Sequence, residues 1–243
     1  MEVNYQSKSK AMIEMIYLFI VEASLEIVPK ELWRERSVIN EARRRGRKPG
    51  EMLLNISKHY AALKKLGDLE KRGRPDISHL SLLTALDSPL NLMGKLRVYL
   101  HTRNGEIIHV DSEVNLPRNY ERFEGLCVAL LRDGHVPKEK PYLMEVVKGD
   151  LSTIVDRLRL NMLIALSAQG RTVDLPCFLR SALRTPKLGF MVGGFQRGGF
   201  SPKTASLADD TIRLSSYPLS SHVAICKILH ETEEVLESGS RAS

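Results

Sequence analysis

Two glycine pairs stand close together late in this chain of 243 residues. Gly193-Gly194 and Gly198-Gly199 close an apolar run, and the loop Leu214, Ser215, Ser216, Tyr217, Pro218 and Leu219 follows shortly after. Glycine has no Cβ, so its backbone N–H and C=O groups can meet the edges of a ligand with no side chain in the way. Gly193, Gly198 and the loop 214–219 are therefore candidates to hold one small ligand through the backbone. Read locally, the same glycines also fit two ordinary turns. A dinucleotide fingerprint is a poor match, because Ser201-Pro202 follows them in place of a clear helix start.

A second set of residues is cationic. The formal charge is +7, which favours a polyanionic partner, and its distribution says more than its sum. Arg43, Arg44, Arg45, Arg47 and Lys48 form one run, and Lys64, Lys65, Lys71, Arg72 and Arg74 form another. The end of the chain is acidic, with Glu231, Glu233, Glu234 and Glu237. The first basic run reads most simply as a solvated loop or helix face. Arg118 and Arg122 stand four apart, a spacing that lets both project from one face at the start of a helix and hold phosphates in register. Arg74 and Asp76 flank Pro75, whose fixed φ stiffens the segment, so the carboxylate can orient the guanidinium for bidentate recognition. A plain surface ion pair is the alternative.

Other chemistries find no support. The sequence holds no phosphate-binding Walker motif, no Gly-x-Ser-x-Gly elbow, no His-Glu-x-x-His and no Cys-x-x-Cys pair, and its scattered histidines argue against a metal site. His101 and His109 read as structural. Cys127, Cys177 and Cys226 are odd in number and far apart, which suits buried, inert, reduced thiols in a cytoplasmic protein. The apolar run 12–21 is too short to span a membrane and carries Glu14.

The elements that must position these residues alternate between strand and helix. Residues 16–21 read as a buried strand, and 37–66 as helical with a break at 46–50. Asp76 or Ser78 is expected to cap a short helix that ends before Ser88-Pro89. A hairpin over 96–110 turns at Asn104-Gly105. Helices are expected after Tyr120, over 151–158, over 174–183 with Asp174 as cap, and over 220–236. Strands are expected at 143–147, 162–166, 188–192 and 211–214. The pattern predicts an α/β fold with a mainly parallel sheet flanked by helices. One domain over 12–237 with a helical insertion at about 37–70 is expected, ending in a disordered tail at 238–243.

Six separated motifs occur in order: Arg74-Pro75-Asp76-Ile77, Ser88-Pro89-Leu90-Asn91, Val98-Tyr99-Leu100-His101-Thr102, Leu116-Pro117-Arg118-Asn119-Tyr120-Glu121-Arg122-Phe123, Val192-Gly193-Gly194-Phe195 and Leu214-Ser215-Ser216-Tyr217-Pro218-Leu219. Together they resemble the Nep/Emg family of small-subunit ribosomal RNA pseudouridine-N1-methyltransferases, in the SPOUT superfamily. The resemblance implies a C-terminal trefoil knot, a homodimer and a role in small-subunit biogenesis. It implies S-adenosyl-L-methionine held by backbone groups around Gly193 and Gly198 and by the loop 214–219, with Ser167 as a further neighbour. It also implies RNA contacts from Arg74, Arg118 and Arg122, with Asp76 supporting Arg74. Asn115 stands where the family usually has another arginine, so that RNA contact would be weakened. No general base is assigned, since Asp76 paired with Arg74 would accept a proton poorly. A noncatalytic RNA-binding assembly factor that also meets ribosomal proteins is the alternative.

Overall fold

The computed structural model describes residues 13–241. Position 12, where the domain was expected to begin, and Ala242 and Ser243 of the expected tail lie outside the described residues. The first strand, β1 (Met15–Ala23), is almost wholly apolar because it lies mid-sheet with both faces covered. Its side chains alternate: Ile16, Leu18 and Ile20 enter one core, and Tyr17, Phe19 and Val21 enter the core on the opposite face.

The chain then makes a helical excursion through α1 (Arg36–Arg45) and α2 (Ile56–Leu63), with single 3-10 turns at Lys30–Leu32, Pro49–Glu51 and Leu69–Lys71. Val28, Leu32, Val38, Met52, Leu54 and Leu63 give it a small core of its own. It returns to the main body in α3 (Pro75–Leu86) and α4 (Pro89–Leu92). The hairpin β2 (Leu96–Thr102) and β3 (Ile107–Val110) leads to α5 (Tyr120–Asp133), β4 (His135–Val136) and β5 (Met144–Val147). Next come α6 (Leu151–Leu158), β6 (Met162–Thr172), α7 (Leu175–Ala182) and β7 (Lys187–Gly193). The chain ends with α8 (Pro202–Ala205), β8 (Asp210–Arg213) and α9 (Ser221–Arg241).

The eight strands form one sheet in the order β4-β5-β3-β2-β1-β7-β6-β8. The block from β2 to β8 is parallel, and β3, β5 and β4 extend it antiparallel. Residues of α3, α5, α7 and α9, among them Leu82, Phe123, Leu179 and Ile225, build the larger core on one face. Leu151 and Ile154 of α6 cover the other. From β7 the chain crosses to β8 on the far side of β6 and then returns, so that Ser221 at the start of α9 donates from Oγ to the Gly193 carbonyl at 2.5 Å.

Several local expectations change. The third helix begins earlier, with Pro75 as its first residue and Arg74 at the cap, because proline's fixed φ and missing N–H suit that position. Asp76 and Ser78 lie inside it. Cys127 is fully buried, and burial pushes its thiol well above the usual range, but Cys177 and Cys226 are exposed. The last helix continues through residues 238–241, where a disordered tail was expected: Ile225, Ile228 and Leu229 anchor it to the core, and each further residue adds a backbone bond at little cost.

Candidate functional site

A cleft of about 310 Å³ opens at the carboxyl ends of β6 and β7. A break in strand pairing forms one wall: Ile212 pairs with both Leu166 and Arg171, so residues 167–170 arch out of the ladder. Ser167 and Ala168 on that arch line the cleft. Facing them are Gly193, Gly198, Leu214, Ser215, Tyr217, Pro218 and Leu219; Ser216 belongs to the same loop but does not reach the lining. The structure thus brings together almost the whole set of residues expected around a small ligand.

Gly198 sits at φ +95°, a conformation that disfavours side chains. Gly193 is favoured for a different reason, since a Cβ there would lie 2.8 Å from the Phe195 ring, which would have to move aside. The N–H groups of Gly198 and Gly199 bond to no other group among the described residues, so they remain donors for a ligand. Ligand crevices outside the carboxyl ends of parallel strands are general in open α/β sheets.

The glycine loop is clamped from the helical excursion. Glu70 O accepts from the N–H of Gln196 at 3.2 Å and of Arg197 at 3.3 Å. Lys71 Nζ lies 4.5 Å from the centre of the Phe195 ring and also bonds Glu22 at 2.5 Å, while the other Glu22 oxygen accepts from Ser201 N–H at 2.7 Å. Burial opposes the charge on Glu22, but the hydrogen bonds from Lys71 and Ser201 outweigh it and hold the carboxyl below its ordinary value. Glu22 itself is a non-glycine residue at φ +52°, so this buried junction stabilises a conformation the residue would otherwise avoid.

A second cleft of about 420 Å³ adjoins the first, lined by Asn55, Ile56, Ser57, Arg74, Asp76, Tyr120 and Gln196. Arg74 and Asp76 form the expected fork, with contacts of 2.7, 2.9 and 3.2 Å. Tyr120 Oη accepts from Asn55 Nδ2 at 3.0 Å. Burial pushes the phenol well above its ordinary pKa, so its own proton stays available to donate. Asn55, Tyr120 and Gln196 were not singled out from the sequence. Asn55 and Tyr120 stand 65 residues apart, and only the folded contact between excursion and α5 joins them.

The other arginines are distributed differently from expectation. The helix starts at Tyr120, capped by Asn119, so Arg118 precedes it and only Arg122 lies in its first turn. Arg118 is 77% exposed and meets Asp87 at 3.0 Å. With Asn115 it lines a third groove beside the end of α3, while Arg122 lines none of the three. His79 Nε2 and the Pro117 carbonyl, 2.7 Å apart, fix that loop against α3. The first basic run is not uniformly solvated: Arg45 is largely withdrawn from solvent and bridges Glu41 and Glu124, each at 2.6 Å. Lys71 and Arg72 of the second run are likewise turned inward, toward Glu22 and Glu26. His101 accepts the Glu22 N–H on Nδ1 at 3.3 Å, a structural role.

The fold defines an α/β protein whose strand-end cleft has the size and backbone donors to take a small ligand, beside a polar cleft lined by Arg74. The chain belongs to the EMG1/NEP1 methyltransferase family, whose model matches residues 18–233. It is 41% identical to the ribosomal RNA small subunit methyltransferase Nep1 of Staphylothermus marinus, over 91% of this chain and 96% of that protein. It is 39% identical to the protein of the same name from Thermococcus sibiricus, over 88% and 96%. The crystal structure of Archaeoglobus fulgidus Nep1 bound to S-adenosylhomocysteine superimposes with a TM-score of 0.82 at 34% identity, covering 92% of this chain and 99% of that one.

Proposed function

We propose that the protein transfers a methyl group from S-adenosyl-L-methionine to N1 of a pseudouridine in small-subunit ribosomal RNA, as a step in subunit biogenesis. The carrying observation is the adjacency of the two clefts, one rich in free backbone donors and one lined by a forked arginine. The names of the relatives and the S-adenosylhomocysteine bound to the Archaeoglobus protein support the same reading.

In this reading Gly193, Gly198 and the loop 214–219 hold the cofactor, with Ser167 beside them. Bound there, the cofactor supplies an electrophilic methyl: the N1–C bond forms, the S–C pair returns to sulfur and the N1 proton passes to water. The protein's own part is alignment, worth up to roughly 7–11 kcal/mol in favourable intramolecular cases. Arg74, Arg118 and Arg122 hold the RNA, Asp76 orients Arg74, and Asn115 adds a neutral contact. The target nucleotide leaves its stack to enter the second cleft. We further propose a cytoplasmic homodimer formed over the apolar surface that Tyr217 and Val223 expose beside the first cleft. Among the described residues no helix is long and apolar enough to cross a membrane.

The test is transfer of tritiated methyl to a small-subunit RNA hairpin carrying pseudouridine, beside a matched uridine hairpin. Label only in the pseudouridine hairpin is expected. Equal labelling of uridine would sink the specificity. RNA binding with no calorimetric affinity for S-adenosylhomocysteine would instead favour a noncatalytic assembly factor.

A further inference from the structure

Among the residues lining the two clefts, Gln196 alone is common to both. Its backbone is fixed, because its N–H is held by Glu70 O and its neighbour Phe195 lies against Lys71. Its side chain is free: it is exposed and makes no hydrogen bond among the described residues. A rigid backbone carrying an unengaged carboxamide at the junction of two clefts is equipped to recognise whatever bridges them. Arg74 is already engaged with Asp76, and Asn55 with Tyr120 Oη and the Ser57 N–H, while the Tyr120 and Ser57 hydroxyls each offer one group where the Gln196 carboxamide offers a donor and an acceptor together.

We propose that Gln196 reads and orients the acceptor base, an inference that rests on the function proposed above and adds the residue that recognises the uracil-type ring. A carboxamide offers one donor and one acceptor side by side. The edge of a pseudouridine ring formed by the C2 carbonyl and N3–H presents the complementary pair. Gln196 Nε2 donates to the C2 carbonyl and Oε1 accepts from N3–H. N1 is bonded to the same C2 carbon, so this pairing fixes the direction in which N1 faces and turns it toward the first cleft. As N1 gives its proton to water and its electron pair to the methyl carbon, charge that develops on the C2 oxygen meets the Nε2 donor. A cytosine-type ring presents two acceptors on that edge and leaves the Gln196 carbonyl unpaired, which discriminates against it.

The experiment uses the full chain, as wild type and as Gln196→Leu, with hairpins carrying pseudouridine or 3-methylpseudouridine at the target. Single-turnover transfer is measured together with calorimetric affinity for S-adenosylhomocysteine. Gln196→Leu is expected to slow transfer to pseudouridine by about 10- to 100-fold, the loss of a paired polar contact, with cofactor affinity unchanged. Blocking N3 is expected to slow the wild type by a similar factor and to add little to the defect of the variant. A Gln196→Leu rate equal to wild type, or losses that multiply, would overturn the assignment while leaving the proposed function intact. A wild type that methylates neither hairpin would overturn both. Cofactor affinity lost together with rate would move Gln196 to the other cleft and also reject the proposal.

Discussion

Gly198 and Arg118 show how single residues divide the proposed labour. Gly198 occupies φ +95°, and a Cβ there would meet Lys71 Cε at 3.7 Å and Glu70 Oε2 at 3.9 Å, ordinary contacts, so a side chain costs backbone strain, roughly 1–3 kcal/mol, rather than a clash at Cβ. Gly198→Val is therefore expected to weaken S-adenosylhomocysteine binding by calorimetry while RNA affinity holds. Arg118 is mostly exposed and its pairing with Asp87 contributes little to stability. Arg118→Ala is expected to leave the melting temperature within a degree or two, weaken RNA binding, and reduce the slope of log affinity against log salt by about one. An unchanged salt slope would remove Arg118 from the RNA surface. The glycines were legible because their backbone demands are local. Gln196 was not, since its significance arises only where two clefts meet, and nothing in the order Phe195-Gln196-Arg197 indicates that neighbour.

At the scale of elements, the helical excursion is joined to the body by buried charge. Arg45 at the end of α1 meets Glu41 on its own helix and Glu124 on α5, and both carboxylates are nearly inaccessible. Removing one member of such a group strands the others without solvent, a loss of roughly 3–5 kcal/mol. Arg45→Met should therefore lower stability by about that amount in denaturant unfolding, whereas Arg43→Met, on the exposed side of the same run, should change it by less than about 0.5 kcal/mol. Equal effects would mean that the junction is not held by this network. Helical spacing announced α1 and α2, yet a run of arginines reads alike whether it faces solvent or a carboxylate 79 residues away. The start of α3 failed for a related reason: capping preferences favoured Asp76, and the pre-set φ of Pro75 prevailed. The two-residue β4 is too short to leave a periodicity at all.

For the whole molecule, the alternation of apolar strands with amphipathic helices carried the parallel block, while strand order and the arch at residues 167–170 depend on contacts across the sheet that no local pattern encodes. The same long-range packing sets the response to pH. Burial lowers the pKa of His59, His101 and His109, and outweighs the carboxylates near each, Glu41 and Glu124 for the first, Glu22 and Glu106 for the second, Asp111 and Glu145 for the third. His59 Nδ1 accepts the Asn55 N–H at 3.1 Å, and its Nε2 has no partner among the described residues, so protonation would abolish one hydrogen bond and add a buried charge. Each histidine thus binds its proton more readily in the unfolded chain, so their contribution is complete above the unfolded pKa of about 6.5 and is lost as pH falls through it toward the folded values. The buried carboxyl of Glu26 is raised, mainly by desolvation, and acts in the opposite sense as pH falls. Comparison with a variant therefore isolates the histidine share. His59→Asn should flatten the fall in unfolding free energy between pH 7 and 5.5, measured by urea titration, because it keeps a short polar acceptor but cannot titrate. A slope unchanged from wild type would show that the Asn55–His59 junction does not couple folding to pH.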